Sequence, residues 1–113
     1  AAVLGGLSSA NGFRTNLGIT SLADEETTFT IGVYGDDGGL IGELSIPVAA
    51  GEFKQLTRIL GQELGHFGTA WATIHSEDSG ASFVAHASVV DGASGDPVYI
   101  PAAPLAMIEA RAP

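Results

Sequence analysis

Hydrophobic and polar residues alternate with a period of two along most of this chain. Phe13, Thr15, Leu17 and Ile19 alternate with Arg14, Asn16, Gly18 and Thr20. Phe29, Ile31 and Val33 alternate with Thr28, Thr30 and Gly32, and Leu44, Ile46 and Val48 with Glu43, Ser45 and Pro47. Successive side chains of an extended strand point to opposite faces, so each run offers one row to a core and one to solvent. Two longer runs follow. In Thr69–Ser76, Ala70, Ala72 and Ile74 share one face and Trp71, Thr73 and His75 the other. In Ser82–Asp91, Phe83, Ala85, Ala87 and Val89 oppose Val84, His86, Ser88 and Val90, and the apolar character of both faces predicts a central strand. Pro97–Pro101 is a last extended segment.

Turn chemistry separates these runs. Asp36-Asp37-Gly38-Gly39 fits a tight hairpin, because aspartate and glycine tolerate turn geometry. Ala23–Glu26, Ala49–Gly51 and Gly92–Asp96 mark further turns, and Glu77-Asp78-Ser79-Gly80 reads as a hairpin between the two long runs. Pro47 predicts either an edge strand or a backbone nitrogen that faces solvent. Only Phe53–Leu64 breaks the period: Leu56, Ile59, Leu60 and Leu64 suit a short helical turn, near residues 54–64, that Gly61 or Gly65 ends. About seven or eight strands with a turn every 8–12 residues is the pattern of an all-β, antiparallel, immunoglobulin-like sandwich.

Composition then narrows the classes. With 113 residues the chain reads as one domain, and such a domain buries roughly 65% of its unfolded surface without staples. Thirteen acids against four bases give a net charge of −9, and Arg14, Lys54, Arg58 and Arg111 are too few for a nucleic-acid footprint. No apolar run approaches the ~18 residues of a membrane span, so no membrane insertion is expected. A basic segment followed by an apolar one does not open the chain, so Ala1 reads as a mature N-terminus or as the start of a domain cut from a larger protein. Cysteine is absent, which removes disulfides, thiolate metal sites and cysteine nucleophiles. Sixteen glycines and one lysine give the composition of an exported protein.

Three stretches carry a resemblance. They are Phe13-Arg14-Thr15-Asn16-Leu17-Gly18-Ile19, then Ala87-Ser88-Val89-Val90-Asp91, then Ser94-Gly95-Asp96-Pro97-Val98-Tyr99-Ile100-Pro101-Ala102. Together they resemble an immunoglobulin-like β-sandwich module of large secreted bacterial proteins, and Val48–Leu56 fits its strand, glycine turn and short cap. The resemblance covers residues 10–103. It implies an exported module at the cell surface or outside the cell, and it brings no activity with it.

Candidate chemistry is thin. Asn16 and Arg14 form either a polar grip on a ligand or, for Asn16, a hydrogen bond to backbone where strands cross. Asp91 and Asp96 could begin a calcium site, but the loop offers few of the six to eight oxygens calcium takes, and an Asx-type turn suits Asp91 better. His75 and His86 could face each other on paired strands, yet neither they nor His66 have a third or fourth metal ligand at a useful spacing. No nucleophile elbow, phosphate loop or dinucleotide fingerprint is present, and Glu25-Glu26 and Glu77-Asp78 fall in turns. The chain therefore reads as a non-enzyme without a cofactor. Trp71, Tyr34 and Tyr99 could make a sugar-binding platform, against the commoner arrangement of a core tryptophan between sheets.

The ends are apolar. Residues 1–9 contain Val3, Leu4 and Leu7, and the C-terminal extension 104–113 contains Leu105, Met107 and Ile108. Each end is expected to add a strand, either to its own sheet or to that of an identical or neighbouring unit, and the second case yields a filament. Two functions follow as expectations: a non-catalytic extracellular assembly module, or an accessory carbohydrate- or surface-binding module of a secreted enzyme.

Overall fold

The computed structural model describes residues 2–77 and 81–104. Among these residues nine strands form two antiparallel sheets packed face to face. They are β1 (Ala2–Ser8), β2 (Phe13–Ser21), β3 (Thr27–Gly35), β4 (Leu40–Val48), β5 (Phe53–Leu56), β6 (Thr69–Ser76), β7 (Phe83–Asp91), β8 (Pro97–Pro101) and β9 (Ala103–Pro104). One sheet has the order β4-β3-β6-β1-β9 and the other β5-β2-β7-β8. The fold is the β-sandwich that the period of two predicts.

The inner rows make the core. Leu4, Leu7, Phe29, Ile31, Val33 and Ile74 come from the larger sheet and Leu17, Ile19 and Ala87 from the smaller, all essentially without solvent contact. Phe29 meets Phe83 across the layers in an edge-to-face contact with centroids 5.0 Å apart. The predicted helical cap is present but shorter. Phe53–Leu56 pairs with β2 as a strand, and only Ile59–Glu63 coils, as a π-type turn that pushes Ile59 and Leu60 into the core. It ends at Gly65, which takes the left-handed backbone (φ +66°) and donates its N–H to Gly61.

The central pairings, β2 with β5 and β3 with β6, are those of strands B with E and C with F in an immunoglobulin domain, with β4 beside β3 as C′. The outer strands differ. There the first strand neighbours B and the last neighbours F; here β7 lies beside β2, and β1 lies beside β6.

The turns largely follow their residues. Asp37 accepts the Gly39 N–H at 2.8 Å in the β3–β4 hairpin, and Asp91 accepts the Ala93 N–H at 2.9 Å in the β7–β8 hairpin. β4 lies at an edge, as the first reading of Pro47 has it, and β7 is central, between β2 and β8. Glu77–Gly80 is a correction. It does not close a hairpin, because β6 is flanked on both sides by β3 and β1 and the chain must cross to the other sheet to form β7. Residues 78–80 of that link lie outside the described residues.

Candidate functional site

The crossing between β6 and β7 decides the histidines. His75 sits on β6 opposite Thr30, and His86 sits on β7 opposite Gly18. The two imidazoles therefore lie on different sheets and do not face each other, which corrects the paired-strand expectation. His66 lies in the loop before β6, where its Nε2 is 3.0 Å from the Thr69 carbonyl. Among the described residues no three histidines or carboxylates gather as metal ligands do.

Asn16 holds backbone, as one of its two readings had it. Its Oδ1 accepts the Arg58 N–H at 3.0 Å, tying β2 to the start of the π-type turn. Arg58 is the one non-glycine residue with positive φ among those described (φ 50°, ψ 47°), a left-handed conformation that costs a side-chain-bearing residue about 1–2 kcal/mol.

Trp71 overturns the core placement. Ala70, Ala72 and Ile74 take the inner face of β6, so Trp71 takes the outer one. It lies opposite Tyr34 of β3 and stacks on it, with ring centroids 4.4 Å apart and planes within 16°. That separation is close to the spacing between strands, so the rings stand side by side above the sheet. The Tyr34 ring leans along its strand over Gly32, where a Cβ would come within 3.2 Å of its hydroxyl oxygen. On the other side of Trp71, β1 carries a bulge between Leu4 and Leu7, and a Cβ on Gly5 would meet nothing within 4 Å. One side of the tryptophan thus borders an open notch. Tyr99, the third aromatic of the expected platform, is on β8 in the other sheet and does not join it.

The smaller sheet carries a second stack on its outer face. Phe53 and His86 lie nearly parallel, 5.9 Å apart, with Gly18 between them. A Cβ on Gly18 would come within 2.7 Å of both rings, so the stack requires glycine there. Val84 and Tyr99, also strongly exposed, extend this face.

The terminal residues divide. Leu4 and Leu7 are buried in the core of their own chain, and half-buried Val3 lies opposite Thr73 on β6 and Ala103 on β9. The N-terminal segment is therefore paired within the chain as β1. Leu105, Met107 and Ile108 lie outside the described residues. No family model, curated protein or solved structure matches this chain.

Proposed function

We propose that the chain is a non-catalytic structural module of the cell exterior that joins identical or neighbouring units by donating β1 as a strand. The observation that supports this reading is the standing of β1. It is the first strand of the described residues, and it supplies two fully buried leucines to the core. Among the described residues its only sheet neighbour besides β6 is the two-residue β9, which reaches just Ala2 and Val3. A sandwich built this way needs a β1, and the strand can come from its own chain or from the next copy.

Complementation tests it. A chain lacking residues 1–9 is expected to melt far below the full chain and to regain most of the difference on addition of a synthetic peptide of residues 1–9. A peptide with alanine at Leu4 and Leu7 is expected to do nothing. A truncated chain as stable as the full one would remove β1 from the core and the proposal with it.

The Tyr34–Trp71 stack favours a second reading, an accessory carbohydrate-binding module. A sugar ring could enter the notch at Gly5 and lie against the indole. Trp71 is the only tryptophan, so its fluorescence reports the site directly. Titration with soluble glucans, xylans and chitin oligomers is expected to shift that emission under this reading. Trp71→Ala would abolish binding and cost about 0.5–1.5 kcal/mol through the lost stack. Unchanged emission across the series would discard it.

A further inference from the structure

Two of the four basic residues converge on one groove. The β1–β2 connection, the π-type turn and the β7–β8 hairpin enclose an open groove of about 700 Å³ at one end of the sandwich, with Arg14 and Arg58 on its walls. Phe13 and Phe67 add apolar wall, and Phe67 is 79% exposed. Gly12 and Gly92 bring backbone to the surface, joined by the Gly92 N–H donating to the Gly12 carbonyl at 3.1 Å. Among the described residues no carboxylate lines the groove, and neither arginine is within ion-pair distance of one, in a chain with thirteen acids.

Arg58 gives a second indication. Glycine would hold its left-handed backbone without cost, so the arginine is there at the expense of stability. Strain of this kind is most readily explained when the side chain is used.

The opposite end of the molecule supplies the complement. β2 begins beside the groove at Phe13 and ends at Ser21, so the connection from β2 to β3 lies roughly 27 Å away along the strands. That connection presents Asp24, Glu25 and Glu26 in succession, all exposed. Glu52 and Glu77 stand in the other connections at this end, and Lys54 offsets Glu52 at 3.9 Å. At the groove end, Asp36 accepts the Thr69 hydroxyl, while Asp37 and Asp91 accept turn N–H groups.

We infer that the groove receives the Asp24-Glu25-Glu26 loop of a second copy, with Arg14 and Arg58 pairing its carboxylates and Phe67 packing beside exposed Leu22. Because donor and acceptor sit at opposite ends, the contact repeats head to tail and does not close. It deepens the assembly reading above by naming an end-to-end contact, and it is separable from strand donation.

A fluorescent peptide of residues 21–28, titrated against the full chain, tests the groove, and sedimentation of the full chain tests the partner. Saturable binding is expected that weakens with salt and is absent for a peptide with D24N, E25Q and E26Q. Arg58→Gly is expected to bind roughly fivefold more weakly, the scale of one lost surface ion pair, while melting at or above the parent temperature. Arg14→Gln should weaken binding similarly. At low salt the full chain should form elongated oligomers that Arg58→Gly diminishes. Equal binding of acidic and neutral peptides, or insensitivity to both arginine substitutions, overturns the inference and leaves the complementation result untouched. Peptide binding with a strictly monomeric full chain overturns the second copy as occupant in favour of a foreign acidic ligand.

Discussion

Replacing Leu4 and Leu7 together by alanine is expected to remove most of the stability of this domain. Both side chains are fully buried, in the first strand of the sandwich. A buried Leu→Ala change costs about 2–5 kcal/mol, as lost transfer energy plus a cavity the surroundings only partly fill. The pair therefore costs roughly 4–10 kcal/mol, against a total of about 5–15 kcal/mol for a domain. Their proximity on one strand permits some departure from additivity. Urea unfolding followed by Trp71 fluorescence measures the effect as a fall in midpoint. Val3→Ala is the control: Val3 is half-buried on the outer face, and its loss should cost less than about 1 kcal/mol. A double variant nearly as stable as Val3→Ala would show that β1 does not hold the core. The assembly reading needs the large effect, since only a strand the core requires is worth donating.

The same residues show what the sequence made legible. Alternation within β2, β3 and β7 was enough to assign strands and faces, because a row of Leu, Ile, Val and Phe has only one way to leave water. Asp37 and Asp91 were readable because their carboxylates act two residues away, within their own turns. Pairing was another matter. The link at Glu77–Gly80 looks like a hairpin in sequence, and local chemistry cannot reveal that both edges of β6 are taken by strands from distant parts of the chain.

Trp71 marks the boundary between these cases. Its position was available, since it is out of phase with Ala70, Ala72 and Ile74, and Tyr34 is likewise out of phase with Phe29, Ile31 and Val33. The expectation of a core tryptophan rests on how often sandwiches bury one between their sheets, not on the period. The period was the better guide, because Ala70, Ala72 and Ile74 fill the inner row of β6, beside Leu4 and Leu7 of the neighbouring β1, and leave Trp71 the outer row. The glycines then make sense as companions of outward aromatics: Gly32 lies under Tyr34 and Gly18 between Phe53 and His86. The arginine groove had no such signal. Arg14 and Arg58 are 44 residues apart in sequence, and β2 and the π-type turn come together through the pairing of β5 with β2 and the hydrogen bond from the Arg58 N–H to Asn16.

Gly92→Ala is expected to be the most damaging single-methyl addition in the β7–β8 turn, for a reason unrelated to backbone handedness. Gly92 is not among the glycines with positive φ, but a Cβ there would lie 2.3 Å from the Gly12 carbonyl oxygen. The obstacle is backbone, so it cannot rotate away. The two segments would have to part, breaking the Gly92–Gly12 hydrogen bond where β2 and β7 begin to pair at Phe13 and Asp91. Overpacking costs about 1–3 kcal/mol and the lost bond about 0.5–1.5 kcal/mol; together they come to roughly 2–4 kcal/mol. Gly95 in the same turn is the matched comparison. Its φ is +77° and a Cβ would meet nothing within 4 Å, so Gly95→Ala carries only the left-handed penalty of about 1–2 kcal/mol. Thermal unfolding of the two variants side by side separates close approach from backbone strain. Amide exchange at Gly92 should accelerate in Gly92→Ala alone. If the two variants melt together with Gly92 still protected, the strands are not in contact through this pair, and the groove floor they form would have to be redrawn.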